Sequence, residues 1–126
     1  MTKKIIHTNQ APEAIGPYSQ AVEVNGFVYT SGQIGLDPAT GHLVEGGVEA
    51  QAHQVMKNVQ SILEAAGTDM DGIVKALIFL KEMDDFALVN DIYASYLQEP
   101  YPARSAIEIS KMPKGALVEV EVVAAT

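Results

Sequence analysis

The chain has 126 residues, 48% of them hydrophobic, with 16 acidic side chains against 8 basic ones and no cysteine. About this length suits one hydrophobic core, so residues 1–126 are expected to form one domain. The lack of cysteine excludes a disulfide, a thiol nucleophile and a zinc–thiolate centre, and the formal charge of −8 opposes nucleic acid and anionic lipid.

No apolar run approaches the ~18 residues that cross a bilayer, and "MTKKIIHTNQ" lacks the apolar core of a signal peptide. No membrane partner is therefore expected, and a cytoplasmic location follows. The mean hydropathy of +0.09 is somewhat apolar for so small a chain. It leans towards an oligomer that buries apolar surface between subunits.

The predicted elements begin with a short strand from Lys4 to His7. "APEAIGPYSQ", with Pro12, Gly16 and Pro17, reads as an irregular loop. "SQAVEV" and "FVYTSG" flank Asn25-Gly26, a dipeptide suited to a type I′ hairpin turn because both residues tolerate positive φ. "GLDPATGHLV" reads as a turn opened by Asp37-Pro38 and closed by Gly41. From Val48 the apolar residues Ala52, Val55, Met56, Val59, Ile62, Leu63 and Ala66 follow helical spacing, with Gly67 placed to cap the C-terminus. "GIVKALIFLKEM" predicts a strand with Val74, Ala76, Ile78 and Leu80 on one face. Asp84 or Asp85 is placed to cap a second helix carrying Phe86, Val89, Tyr93, Tyr96 and Leu97, ending before Pro100. "RSAIEIS" and "ALVEVEVVA" are the last two strands, around the turn "KMPKG". The order predicts an α+β fold, a sheet of about six strands with two helices on one face.

Few residues carry an obvious chemistry. His7, His42 and His53 share no metal-ligand spacing, so no metal site is read from them. Ser31 in "TSGQIG" lacks the setting of a nucleophile elbow, and "SGQIG" lacks the lysine of a phosphate loop. Gly32 and Gly35 read as points of close backbone approach that serve either packing or a ligand, packing being the safer assignment. In the last strand Glu119 and Glu121 share a face with Leu117 and Val123, opposite Val118, Val120 and Val122. Alternation leaves two readings open: a solvated face, or a carboxylate turned into a pocket where desolvation fits it for acid–base work. Arg104 is the only arginine, the other seven cationic side chains being lysines. A guanidinium offers a planar fork for a carboxylate where an ammonium offers only charge.

The segments "AIGPYSQAV", "YTSGQIGLDPATG", "LVNDIYASYL" and "YPARSAIEISKMPKGALVEVE" closely resemble the Rid (YjgF-type) family of reactive intermediate deaminases, from Ile15 to Val123. The resemblance implies a fold like that of compact bacterial chorismate mutases, with a mixed sheet backed by two helices. It also implies a homotrimer with inward-facing sheets and three clefts between subunits. In such a cleft Arg104 would hold a substrate carboxylate, and Glu119 would act as the catalytic acid–base. Tyr18, Ser31, Gly32 and Asn90 would line the substrate. The implied reaction is hydrolysis of 2-imino acids, formed from enamines such as 2-aminoacrylate and 2-aminocrotonate, to 2-keto acids and ammonia without a cofactor. Many relatives carry cysteine where this chain has Ala106, which removes any thiol-based regulation. Relatives have also been described as ribonucleases that inhibit translation, a role the acidic balance opposes. A trimer that senses keto acids or engages a protein partner is a third reading.

Overall fold

Among residues 2–126, which the computed structural model describes, seven strands and two helices follow in the order β1 (Lys4–Ile6), β2 (Ala21–Val24), β3 (Phe27–Thr30), β4 (Gln33–Ile34), α1 (Gly47–Ala65), β5 (Ile73–Leu80), α2 (Phe86–Ser95), β6 (Ala103–Glu108) and β7 (Val118–Ala125). They form a mixed sheet in the order β1-β2-β3-β7-β5-β6, with β4 also paired to β7. The neighbours are antiparallel except β5 and β6, which run parallel on either side of α2.

Local signals decide the chain reversals. Asn25 and Gly26 have φ of 52° and 81°, as a type I′ turn requires, and Val24 faces Phe27 across it. At the end of α1, Gly67 adopts φ 86°. Its N–H bonds Glu64 O, and that of Thr68 bonds Leu63 O, a Schellman closure that satisfies the last carbonyls.

Three elements depart from expectation. The two residues of β4 are too few to show a period, and they bring the strand count to seven. Val74 is not on the buried face of β5, because the pairing with β7 shifts between Ile73 and Lys75. One extra residue there turns its side chain outward. Asp85 stands at the N-cap of α2 but makes no side-chain cap bond. The approach is instead held by Glu108 at the end of β6, whose Oε1 accepts from Met83 N at 2.7 Å.

Both helices cover one face of the sheet. Val118, Val120, Val122 and Ala124 of β7 are buried there with Ala76, Ile78 and Leu80 of β5. Val55, Val59, Ile62 and Leu63 of α1 and Val89, Ile92 and Tyr93 of α2 complete the core. Ile62 and Leu63 are wholly buried, so truncating either to alanine costs about 2–5 kcal/mol. Neither α-helix of the described residues crosses the other face. Phe27, Tyr29 and Ile107 are exposed, while Leu77, Phe79, Glu119, Glu121 and Val123 are half-buried. No helix of the described residues is long and apolar enough to cross a membrane.

Candidate active site

The chain breaks between β3 and β4 at Ser31 and Gly32, and both strands then pair with β7. β4 places Ile34 opposite Glu119. The Glu119 carboxyl lies against Gly32 so closely that a methyl group there would sit 2.8 Å from its carboxyl carbon. Gly32 thus leaves open the space that the Glu119 carboxyl occupies, and its backbone is not in the left-handed region. Of the two readings open for these glycines, packing accounts for Gly35, where an added methyl would sit 2.9 Å from Gln51 Cα of α1. Gly32 instead makes room for a carboxylate.

Glu119 opens into a cleft of about 320 Å³ that Tyr18, Gln20, Ser31, Gly32, Pro113 and Lys114 also line. Burial raises its pKa above the ordinary carboxylate value, and the Glu121 carboxylate raises it further. Such a group is prepared to take and return a proton nearer neutrality than a solvated glutamate. Tyr18 presents a ring that is 54% exposed at the rim. The Ser31 hydroxyl donates to Ser19 O at 2.6 Å, so its proton is committed to the loop and its lone pairs remain for a ligand.

Three buried amides brace the cleft, Gln20 in its lining and Gln51 and Asn58 behind it, and sequence reasoning did not assign them. Gln20, 1% exposed, accepts from Thr8 N at 2.8 Å and donates to Pro12 O at 2.8 Å, clamping the loop that carries Tyr18. Asn58, fully buried in α1, donates to Ile34 O and Leu36 O. Gln51 Oε1 accepts from Leu117 N at 2.9 Å. A legible signal existed: Gln51 and Asn58 fall within the apolar stripe of α1, where a polar side chain requires a partner. Lys114 carries a second signal, φ of 55° in a non-glycine residue at the cleft.

Arg104 and Asn90 lie elsewhere. Arg104 on β6 stands opposite Ala76 of β5, itself opposite Val122 of β7. These residues point to the helix side. Glu119 stands opposite Phe79, on the uncovered side. Arg104 and Glu119 therefore project from opposite faces of one sheet. Arg104 donates from Nη1 to Asn90 Oδ1 and lines a second cleft of about 440 Å³ with Asn90, Tyr93, Ala94, Tyr101 and Pro102. Of the six residues expected at the site, Tyr18, Ser31, Gly32 and Glu119 converge in the first cleft, and Arg104 and Asn90 in the second.

The histidines occupy neither cleft. His7 Nε2 lies 3.5 Å from Glu13, and His53 Nδ1 lies 2.9 Å from the Tyr96 hydroxyl. His42 sits exposed in the turn before α1. Among the described residues no three His, Asp or Glu side chains converge as a metal site would require.

The family model described as Endoribonuclease L-PSP matches residues 8–126. A 2-iminobutanoate/2-iminopropanoate deaminase from Bos taurus is 50% identical over 98% of this chain and 90% of its own. A crystal structure of a Rid-family protein of unknown function from Yersinia pestis superposes with a TM-score of 0.97 at 52% identity, covering 99% of this chain and 100% of that one. The crystal structure of E. coli TdcF with bound serine superposes with a TM-score of 0.91 at 38% identity, covering 98% of each. With that sheet, those two clefts and half-identical relatives over nearly its full length, the chain belongs to the Rid (YjgF-type, L-PSP) family.

Proposed function

We propose that the chain hydrolyses 2-imino acids to 2-keto acids and ammonia, in a homotrimer whose clefts join Glu119 of one subunit to Arg104 of the next. One observation carries this reading. The group suited to proton transfer and the group suited to carboxylate binding leave opposite faces of the sheet, so one chain cannot close them on one small molecule. A second copy laid against the uncovered face supplies the missing half and covers Tyr29 and Ile107. The relatives named as deaminases support the reaction, and serine bound in TdcF supports a small carboxylate-bearing ligand for this fold.

The steps follow from the two groups. Arg104 pairs with the substrate carboxylate and fixes the imine carbon. Glu119 takes a proton from water as the water oxygen bonds to that carbon, the C=N π pair moves to nitrogen, and Glu119 returns the proton there, which leaves it a carboxylate again. The carbinolamine then collapses: its hydroxyl proton passes to Glu119 and on to nitrogen, the C–N bond breaks and ammonia leaves. One water is consumed, one keto acid and one ammonia are formed, and no redox partner is required.

Mixing tests the shared cleft. Arg104→Lys and Glu119→Gln trimers, each with little activity alone, are unfolded together and co-refolded at equal ratio. Random assembly joins an intact Glu119 to an intact Arg104 in about a quarter of the clefts, so activity returns towards that fraction of wild type. No recovery from correctly assembled trimers, or a native mass other than three times 13.5 kDa, overturns the shared site. RNA cleavage that copurifies with the trimer and responds to cleft substitutions would favour the ribonuclease reading, against which the −8 charge stands.

A further inference from the structure

Arg104 has no carboxylate within ion-pairing distance among the described residues, yet its guanidinium is closely held. Its Cζ lies 5.2 Å from the ring centroid of Phe86 and 5.2 Å from that of Tyr93, both inside the ~6 Å range of cation–π attraction. Asn90 Oδ1 accepts one of its N–H groups. Phe86, Asn90 and Tyr93 fall one per turn along α2, on a single face of the helix.

We infer that Phe86 and Tyr93 are positioning residues that hold the Arg104 guanidinium by their ring faces and pre-orient its fork for a carboxylate. The inference rests on the reading above, in which Arg104 receives the substrate carboxylate. Its physical content is that aromatic faces attract a cation without using its N–H donors. An aspartate in their place would pair with the fork and compete with any anionic ligand. One hydrogen bond, to Asn90, sets the plane while the other donors stay available. Asn90, expected to touch substrate, thus has its carbonyl oxygen engaged in orienting Arg104. The arrangement also gives the lone arginine a reason beyond charge. A guanidinium is flat and stacks across two rings, whereas an ammonium on a flexible stem would not be oriented by them.

Tyr93 adds an independent sign that its ring is the part in use. The residue is 4% exposed and its buried hydroxyl has no hydrogen-bond partner among the described residues. No bond within the chain accounts for that hydroxyl, while the ring's place beneath Arg104 is direct.

Because Arg104 is the only arginine, protein labelled with ¹⁵N-arginine gives a single side-chain Nε–Hε resonance. Ring currents from the two faces should displace that resonance in the wild-type trimer from its position in free arginine. Phe86→Leu should move it back towards the free position, and Tyr93→Phe, which keeps the ring, should not. In ammonia-release assays Phe86→Leu should raise KM about two- to thirty-fold while changing kcat much less, and Phe86→Tyr should restore KM. A wild-type resonance at the free-arginine position overturns the inference without any variant. So does a folded Phe86→Leu trimer with an unmoved resonance or a wild-type KM. If wild-type protein releases no ammonia, the deaminase reading fails, and the resonance still decides whether the rings hold the guanidinium.

Discussion

The two clefts are built in opposite ways. Around Glu119 buried amides brace the walls: Gln20 in the lining and Gln51 and Asn58 behind it are bonded to backbone, and an absent side chain at Gly32 makes the seat. The carboxylate there is half desolvated and its proton affinity is raised. Around Arg104 the cation stays exposed, supported by rings and one amide, with donors to spare. A proton-transfer group gains from desolvation, which moves its pKa towards the working pH. A binding guanidinium stays charged whatever its surroundings and gains only from orientation. One sheet keeps these environments apart by using its two faces.

The largest break in this comparison is Glu119→Gln. Removing the basic lone pair should lower kcat by about a hundred- to ten-thousand-fold at every pH, measured by ammonia release. The same substitution should raise the melting temperature at neutral pH. The folded pKa of Glu119 lies above the unfolded one, so the folded state binds the proton more tightly. Stability is then lost as pH rises from the ordinary carboxylate range through the folded pKa, and glutamine removes that loss. A slow but equally or less stable variant would deny the desolvation.

Gly32→Ala tests the seat without touching a charge. The new methyl must displace the Glu119 carboxyl, and a shift of about 1 Å is expected to lower kcat about a hundredfold. Wild-type kinetics would show that the carboxyl is not held against that glycine. Arg104→Lys keeps the charge and loses the fork, and should lower kcat/KM about ten- to a hundred-fold in an intact trimer. Near-normal kinetics would remove Arg104 from the site.

The smallest effect sharpens the choice between the two glutamates of β7. Since the Glu121 carboxylate helps raise the Glu119 pKa, Glu121→Gln should shift the acidic limb of the kcat/KM profile to lower pH. Activity at neutral pH should change little. An inactive Glu121→Gln variant would exchange the roles of the two residues.

What the sequence determined by itself is what short-range physics controls. Asn25-Gly26 chose its turn, Gly67 closed α1, and alternation put Val118, Val120 and Val122 of β7 on one face and its glutamates, with Val123, on the other, because dihedral preferences and side-chain periods act within a few residues. It also singled out Arg104 by residue type. Alternation could not separate Glu119 from Glu121, nor could it show that Arg104 leaves the opposite face from either. Those answers rest on pairings between distant segments: Ile34 with Glu119, Ala76 with Arg104 and Val122. The bulge that turns Val74 outward belongs to the same class. A one-residue slip of register exchanges the faces of a strand while leaving its sequence unchanged. Which carboxylate faces Gly32 and which face carries the guanidinium were therefore decided when the core valines, α1 and its buried amides locked the strands into a single register.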